Sequence, residues 1–299
     1  PTMCDTGVVV RLTGGVCWVL MDPGRDTMRC AARGNVRKRA TGVAVGDRVR
    51  ISRAPGGDGG ILEEVLPRLT YLTRPQVANV DQAIVVMSVA HPEPNLNLLD
   101  RLLVLVEHSR LDALVCFTKA DLARPGEGER LVDSYSGAGY RAILTSARTR
   151  QGIRELAAAL AGKTSVFAGP SGAGKSALLN AVQPGHDLAE GELSTRIGRG
   201  RHTTREVRLI PLDVGGTVAD TPGFSVLDIE SIKPRDLAMT FREMREHAQR
   251  CRFSGCVHDA EPECAVKQAV EEGKIEQGRY ERYLVFLSEL REAEKRQYK

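Results

Sequence analysis

The segment GPSGAGKS at 169–176 has the residue types and spacing of a phosphate-binding loop. Glycines let successive backbone N–H groups curl around phosphate oxygens, and the helix that follows aims the positive end of its dipole at the same place. Gly169, Pro170, Ser171, Gly172, Ala173, Gly174 and Ala177 would supply the cradle. Lys175 would neutralise the β- and γ-phosphates and assist transfer, and the Ser176 hydroxyl would bind Mg²⁺. TKAD at 118–121 has the pattern of a guanine reader. The Asp121 carboxylate can accept two hydrogen bonds from guanine N1–H and its 2-amino group, whereas adenine would leave it desolvated and unpaired. Lys119 would lay its stem on the ring, and Thr118 would hold the loop. TSA at 145–147 adds backbone N–H groups, at Ser146 and Ala147, for guanine O6.

DTPG at 220–223 supplies Asp220, which would reach Mg²⁺ through a water, and Gly223, whose N–H would sense a γ-phosphate. HTT at 202–204 makes Thr203 or Thr204 the switch threonine on Mg²⁺, with Thr204 also a catalytic candidate. Phe224 stands where many GTPases keep a Gln that orients water. His202, or a group supplied by a partner, would have to replace it. The motifs run base loop, TSA, phosphate loop, threonines, DTPG, whereas an ordinary GTPase places base recognition last. That order predicts a circularly permuted sheet, which compact domains tolerate because their termini lie close together.

Cys251, Cys256, His258 and Cys264 are spaced C-x₄-C-x-H-x₅-C. Three thiolates and one imidazole make a closed tetrahedral Zn²⁺ site of structural type. Between 29 and 53, eight basic residues accompany one acid, Asp47. Arg37, Lys38, Arg39, Arg48 and Arg50 would give that region an RNA-backbone patch. A second basic run lies at 196–205. Aromatics are only 4 %, so base stacking would be minor.

These residues need scaffolds. Short strands at 7–12, 16–21, 28–33, 48–52 and 60–66, separated by turn-forming residues, predict a small OB-like β-barrel over 1–68. From 69 to 226 the pattern alternates. Strands at 81–90, 112–118, 140–147 and 163–169 are interleaved with helices at 97–110, 129–139 and 152–162, predicting an α/β domain with a parallel sheet. Strands at 205–212 and 216–221 complete it. Residues 227–299 read as a helical zinc-binding domain ending in an amphipathic helix, whose stripe includes Tyr280, Tyr283, Phe286 and Leu290.

At 299 residues with 42 % apolar and 27 % charged side chains, the composition excludes a wholly disordered chain. A net charge of +4 does not by itself imply nucleic acid. No stretch approaches ~18 consecutive apolar residues, so no membrane-spanning helix is expected. Seven cysteines, three of them clustered, fit one metal site in a reducing compartment better than a disulfide framework. The other four are expected to be buried thiols.

The barrel, the permuted motif order, GRHTT at 200–204, DTPGF at 220–224 and the zinc ligands together resemble the bacterial small-subunit-dependent GTPase family RsgA (YjeQ/YloQ). The resemblance spans essentially the whole chain. It implies a GTPase that binds the small ribosomal subunit and 16S rRNA late in maturation, with hydrolysis stimulated by the particle; a cytoplasmic monomer with no membrane partner is the expectation beside it. It also implies that His202 takes part in hydrolysis. One alternative keeps the chemistry and changes the target to tRNA or a large-subunit intermediate. Another is an RNA-binding scaffold that does not turn nucleotide over.

Overall fold

The computed structural model describes residues 5–22, 26–33, 42–53, 59–73, 76–184, 207–220 and 228–297. In chain order the elements are β1 (Asp5–Thr13), β2 (Val16–Met21), β3 (Thr27–Ala32), β4 (Arg48–Arg53), β5 (Gly60–Val65), β6 (Tyr71–Thr73), β7 (Gln76–Ala78), β8 (Gln82–Ser88), α1 (Leu96–His108), β9 (Asp112–Thr118), α2 (Glu127–Gly137), β10 (Arg141–Leu144), α3 (Ile153–Leu160), β11 (Thr164–Ala168), α4 (Lys175–Val182), β12 (Arg208–Pro211), β13 (Thr217–Asp220), α5 (Arg242–Ala248), α6 (Ala265–Glu271) and α7 (Gln277–Gln297). Two compact units result. One holds Pro1–Gln82, Glu155–Phe167 and Leu179–Ser225; the other holds Ala83–Arg154, Ala168–Leu178 and Val226–Lys299.

In the first unit, alternating apolar residues fold β1 to β5 into a closed barrel. β1 pairs with β2, β2 with β3, β3 in parallel with β5, β5 with β4, and β4 back with β1. Closure leaves no open edge. Val9, Val19, Val49, Ile51 and Leu62 fill the interior beside Cys17 and Cys30, which are buried thiols outside any disulfide, as expected. β6 and β7, for which the sequence predicts no strands, pair antiparallel. β11 and β13 run parallel, while β12 is antiparallel to β13 because only a tight turn joins them.

In the second unit, β8 is buried along its whole length and β9 at all but its first residue, as fits strands covered on both faces. β9 and β10 pair in parallel. β10 ends at Leu144, so Thr145–Ala147 are released from the ladder as a loop. The C-terminal helices share one apolar cluster with α1: Val104 and Leu105 pack with Phe241, Met244, Tyr283, Phe286 and Leu287.

Asp47, the lone acid of the basic stretch, is fully buried rather than part of a charged surface. It accepts from Ala44 N at 2.7 Å and from Arg68 at 2.6 and 2.8 Å, clamping the entry to β4. Removing one partner of such a pair strands a buried charge. Asp47→Ala should therefore cost about 3–5 kcal/mol of stability, read as a fall in the urea midpoint; a wild-type midpoint would contradict the clamp.

Candidate nucleotide and metal sites

The phosphate loop leaves β11 at Gly169, whose φ of +146° suits only glycine. A Cβ there would lie 2.2 Å from the Val86 carbonyl oxygen, so the loop can pass this close to β8 only without a side chain. At the other end Gly174, with φ +95°, faces Thr118. The Thr118 hydroxyl donates to the Ala173 carbonyl at 2.5 Å. This bond joins the base-reading loop to the phosphate loop although they are 55 residues apart in sequence. Lys175 is 4 % exposed, and its ammonium donates to the carbonyls of Gly169 (2.9 Å) and Pro170 (2.8 Å). Burial pulls its pKa down to about 8. Ser176, also buried, follows it on α4.

On the base side, Lys119 takes a left-handed conformation (φ +60°), and its ammonium donates to the His91 carbonyl. Asp121 sits in the short 3₁₀ turn Ala120–Leu122. The Ser146 hydroxyl, fully buried, donates to Asp121 at 2.6 Å, and the Arg148 guanidinium lies 3.9 Å from the same carboxylate. The TKAD and TSA loops are laced by Ala120 N to Thr145 O at 3.1 Å. One oxygen of Asp121 is thus fixed by a hydroxyl, which orients the carboxylate for a planar pair of donors.

The metal-type residues converge as well. The ligand atoms of Cys251, Cys256, His258 and Cys264 all lie within 4.8 Å of one another. His258 Nδ1 is 3.4 Å from each of the three sulfurs, and Cys251 and Cys264 Sγ are 3.8 Å apart. Tetrahedral bonds of about 2.3 Å to sulfur and about 2.0 Å to nitrogen require edges of roughly 3.8 and 3.5 Å, so the cage fits a zinc-sized ion. Burial pushes Cys256 up to about 12 and lowers His258, so the imidazole is held as a neutral ligand while the thiols need a cation to ionise. The loop is braced from α7. Tyr280 OH donates to His258 O at 2.7 Å, Tyr283 OH donates to Val257 O at 2.6 Å, and Arg291 pairs with Asp259.

Comparison with known proteins gives the same picture. Residues 65–230 match the RsgA GTPase family, and residues 6–61 match the RsgA N-terminal domain. The small ribosomal subunit biogenesis GTPase RsgA of Caldanaerobacter subterraneus subsp. tengcongensis is 46 % identical over 98 % of both chains. That of Moorella thermoacetica is 49 % identical over 95 % of this chain and 97 % of its own. This chain belongs to the RsgA GTPase family. It is a GTPase. Among solved structures, YjeQ from Thermotoga maritima superposes with a TM-score of 0.84 at 39 % identity, covering 96 % of this chain and 99 % of that one. YloQ, described as a circularly permuted GTPase, gives 0.82 at 36 %, covering 97 % and 96 %. The permuted motif order is therefore the family's architecture.

On this RsgA-family fold, Thr118, Lys119, Asp121, Ser146, Ala147, the 169–176 loop and Ala177 come together in one unit. Asp220 ends β13, which pairs in parallel with β11. His202, Thr203, Thr204 and Gly223 lie outside the described residues, as do Arg37, Lys38 and Arg39. Arg48 and Arg50 are on the barrel surface, but each has an acid across the strand: Asp22 for Arg48 and Glu64 for Arg50. Arg33 and Arg53 are likewise paired, with Glu63 and Asp5. Exposed pairs of this kind are worth about 0–1 kcal/mol, so a phosphate backbone can compete for them. The sequence reading missed three groups: the His91 carbonyl, the Ser146 hydroxyl as a partner for Asp121, and the tyrosine hydroxyls behind the metal loop. The tyrosines stood out only as members of an apolar stripe.

Two outcomes follow. Phosphate binding would favour charged Lys175, whose pKa is about 8, below the ordinary lysine value of 10.5. Nucleotide affinity should be full below pH 8 and fall as pH rises through that value, by up to about tenfold per pH unit. Fluorescent-GDP titration across pH 7–10 measures this, and Lys175→Arg should flatten the slope; a flat wild-type profile contradicts the burial effect. Tyr283→Phe should speed metal release to a chromogenic chelator about tenfold, in keeping with other outer-shell ligand contacts. An unchanged rate would mean that the Tyr283 hydroxyl does not brace the loop.

Proposed function

We propose that this chain is a GTP hydrolase that binds the small ribosomal subunit and its 16S rRNA, acts late in that particle's maturation, and is stimulated by it. The observation that supports the reading is the Thr118–Ala173 hydrogen bond, which joins the TKAD loop to the GPSGAGKS loop. The choice of particle is supported by the relatives at 46 % and 49 % identity that are named small ribosomal subunit biogenesis GTPases.

The residues divide the work. Asp121 selects guanine, and Lys119 covers the ring. Lys175 trades its two carbonyl partners for phosphate oxygens, and Ser176, Asp220 and one of Thr203 and Thr204 would hold Mg²⁺. When bound, Mg²⁺ neutralises charge that builds on the phosphoryl oxygens. Gly223 would report the γ-phosphate. With Phe224 unable to orient water, His202 takes that role, and with no arginine finger evident in the sequence intrinsic turnover is slow until the particle stimulates it. One structural Zn²⁺ would occupy the Cys₃His cage. Among the described residues no helix is long and apolar enough to cross a membrane, and the reading places a monomer in the cytoplasm. Arg37, Lys38, Arg39, Arg48 and Arg50 would meet rRNA phosphates.

His202→Ala should keep GTP affinity within about twofold and lower subunit-stimulated kcat by at least about 100-fold. An unchanged kcat removes His202 from the mechanism. Phosphate release measured with purified small and large subunits tests the target. Stimulation by small subunits alone is expected; stimulation by large subunits or by tRNA would favour the alternative target, and no release at all would favour the scaffold.

A further inference from the structure

Helix α1 touches both chemistries of the second unit. Its N-terminal approach is tied to the nucleotide loops. Val89 N donates to Thr118 O, the His91 carbonyl accepts the Lys119 ammonium, and Pro92 Cδ stands 4.0 Å from where a Gly172 Cβ would be. Asn95 then caps the helix through Leu98 N at 3.0 Å.

Its body is locked into the metal-bearing helices. Asp100 is fully buried and accepts from Tyr135 OH (2.7 Å), from Arg279 (2.5 Å) and from Arg282. Arg279, 1 % exposed, also donates to Glu243 on α5. Arg101 pairs with Glu289 and lies over the Phe286 ring, and Glu107 accepts from Arg242 and Arg245. Val104 and Leu105 share their apolar cluster with the metal-type ligand Cys264. Shifting α1 against α7 would strand several buried charges, so the two helices are constrained to move together. The 91–95 approach, by contrast, is mostly exposed.

We propose that α1 couples occupancy of the guanine site to the stability of the C-terminal metal-binding helices, and that GDP suffices to engage it. The proposal rests on the nucleotide reading above. Guanine packed on Lys119 and phosphates on the 169–176 loop fix both loops that hold the His91–Asn95 approach. Ordering that approach fixes α1, and the buried ion pairs carry the restraint to α5 and α7. A γ-phosphate sensor after DTPG would distinguish GTP from GDP; this route does not.

Hydrogen exchange of the full, zinc-loaded chain tests it, without nucleotide, with GDP and with a non-hydrolysable GTP analogue. Fluorescent-GDP titration run in parallel confirms saturation. Peptides from 242–248 and 277–297 should exchange about fivefold more slowly or better, equally with either nucleotide, that being the lower end for linked sites. Linkage is reciprocal, so the factor by which stripping the metal weakens GDP should equal the factor by which GDP tightens the metal. Asp100→Asn should abolish the effect. If that variant does not fold, Arg101→Ala combined with Glu107→Gln should reduce it. Unchanged exchange with GDP bound overturns the proposal. So does protection seen only with the GTP analogue, which would assign the effect to the segment after DTPG. Absence of GDP binding would instead defeat the nucleotide reading on which this rests.

Discussion

A hydroxyl on residue 118 and a carbonyl on residue 173 hold the nucleotide site together. Guanine recognition needs a carboxylate at one edge of a ring, and phosphate transfer needs a cation at the far end of the same ligand. Neither group selects GTP unless the distance between them is fixed. In an ordinary order of motifs the chain reaches the phosphate loop before the base-reading loops; here it reaches the phosphate loop after them, by way of β10 and α3. The Thr118–Ala173 bond ties the two loops where strand ends meet, and so does not depend on chain order. Gly169 matters beside it, since a side chain there would meet the Val86 carbonyl oxygen at 2.2 Å and push the phosphate loop off β8.

The C-terminal helices answer a different problem. The metal loop over 251–264 has few apolar residues of its own and places His258 and Glu263 in left-handed backbone conformations. A tetrahedral ion held by the Cys₃His cage would supply the cross-link that a small core cannot. Its support comes from α7, whose tyrosines bury their rings in the cluster while their hydroxyls hold loop carbonyls. The same helix carries Arg279 and Arg282 to Asp100. One 21-residue helix thus serves the metal loop on one side and the GTPase helix α1 on another.

Most of the chemistry could be taken from spacing, because cradles, base readers and metal cages are local patterns. The barrel strands and the α/β alternation were equally plain, since period and turn residues fix them. What spacing could not show was pairing across distance. Asp100 looks like one acid among the leucines of an amphipathic helix, and nothing nearby in sequence announces Arg279. The basic stretch of the barrel looked unopposed because Asp5, Asp22, Glu63 and Glu64 lie on other strands and are brought opposite the arginines only by barrel closure. Asp47 looked like surface and is core. The β6–β7 pairing escaped notice because three-residue strands are too short for a period to register.

The central claim is that one bound molecule is read at both ends. Calorimetric titration of the full chain with GDP and ADP, repeated with XDP on Asp121→Asn, tests it most directly. Guanine offers the two donors that Asp121 accepts and adenine does not, so GDP should bind at least about 100-fold more tightly than ADP. The variant, with an amide in place of the carboxylate, should transfer that preference to xanthine. Equal affinity for ADP and GDP, or an Asp121→Asn protein that still prefers GDP, would contradict the account.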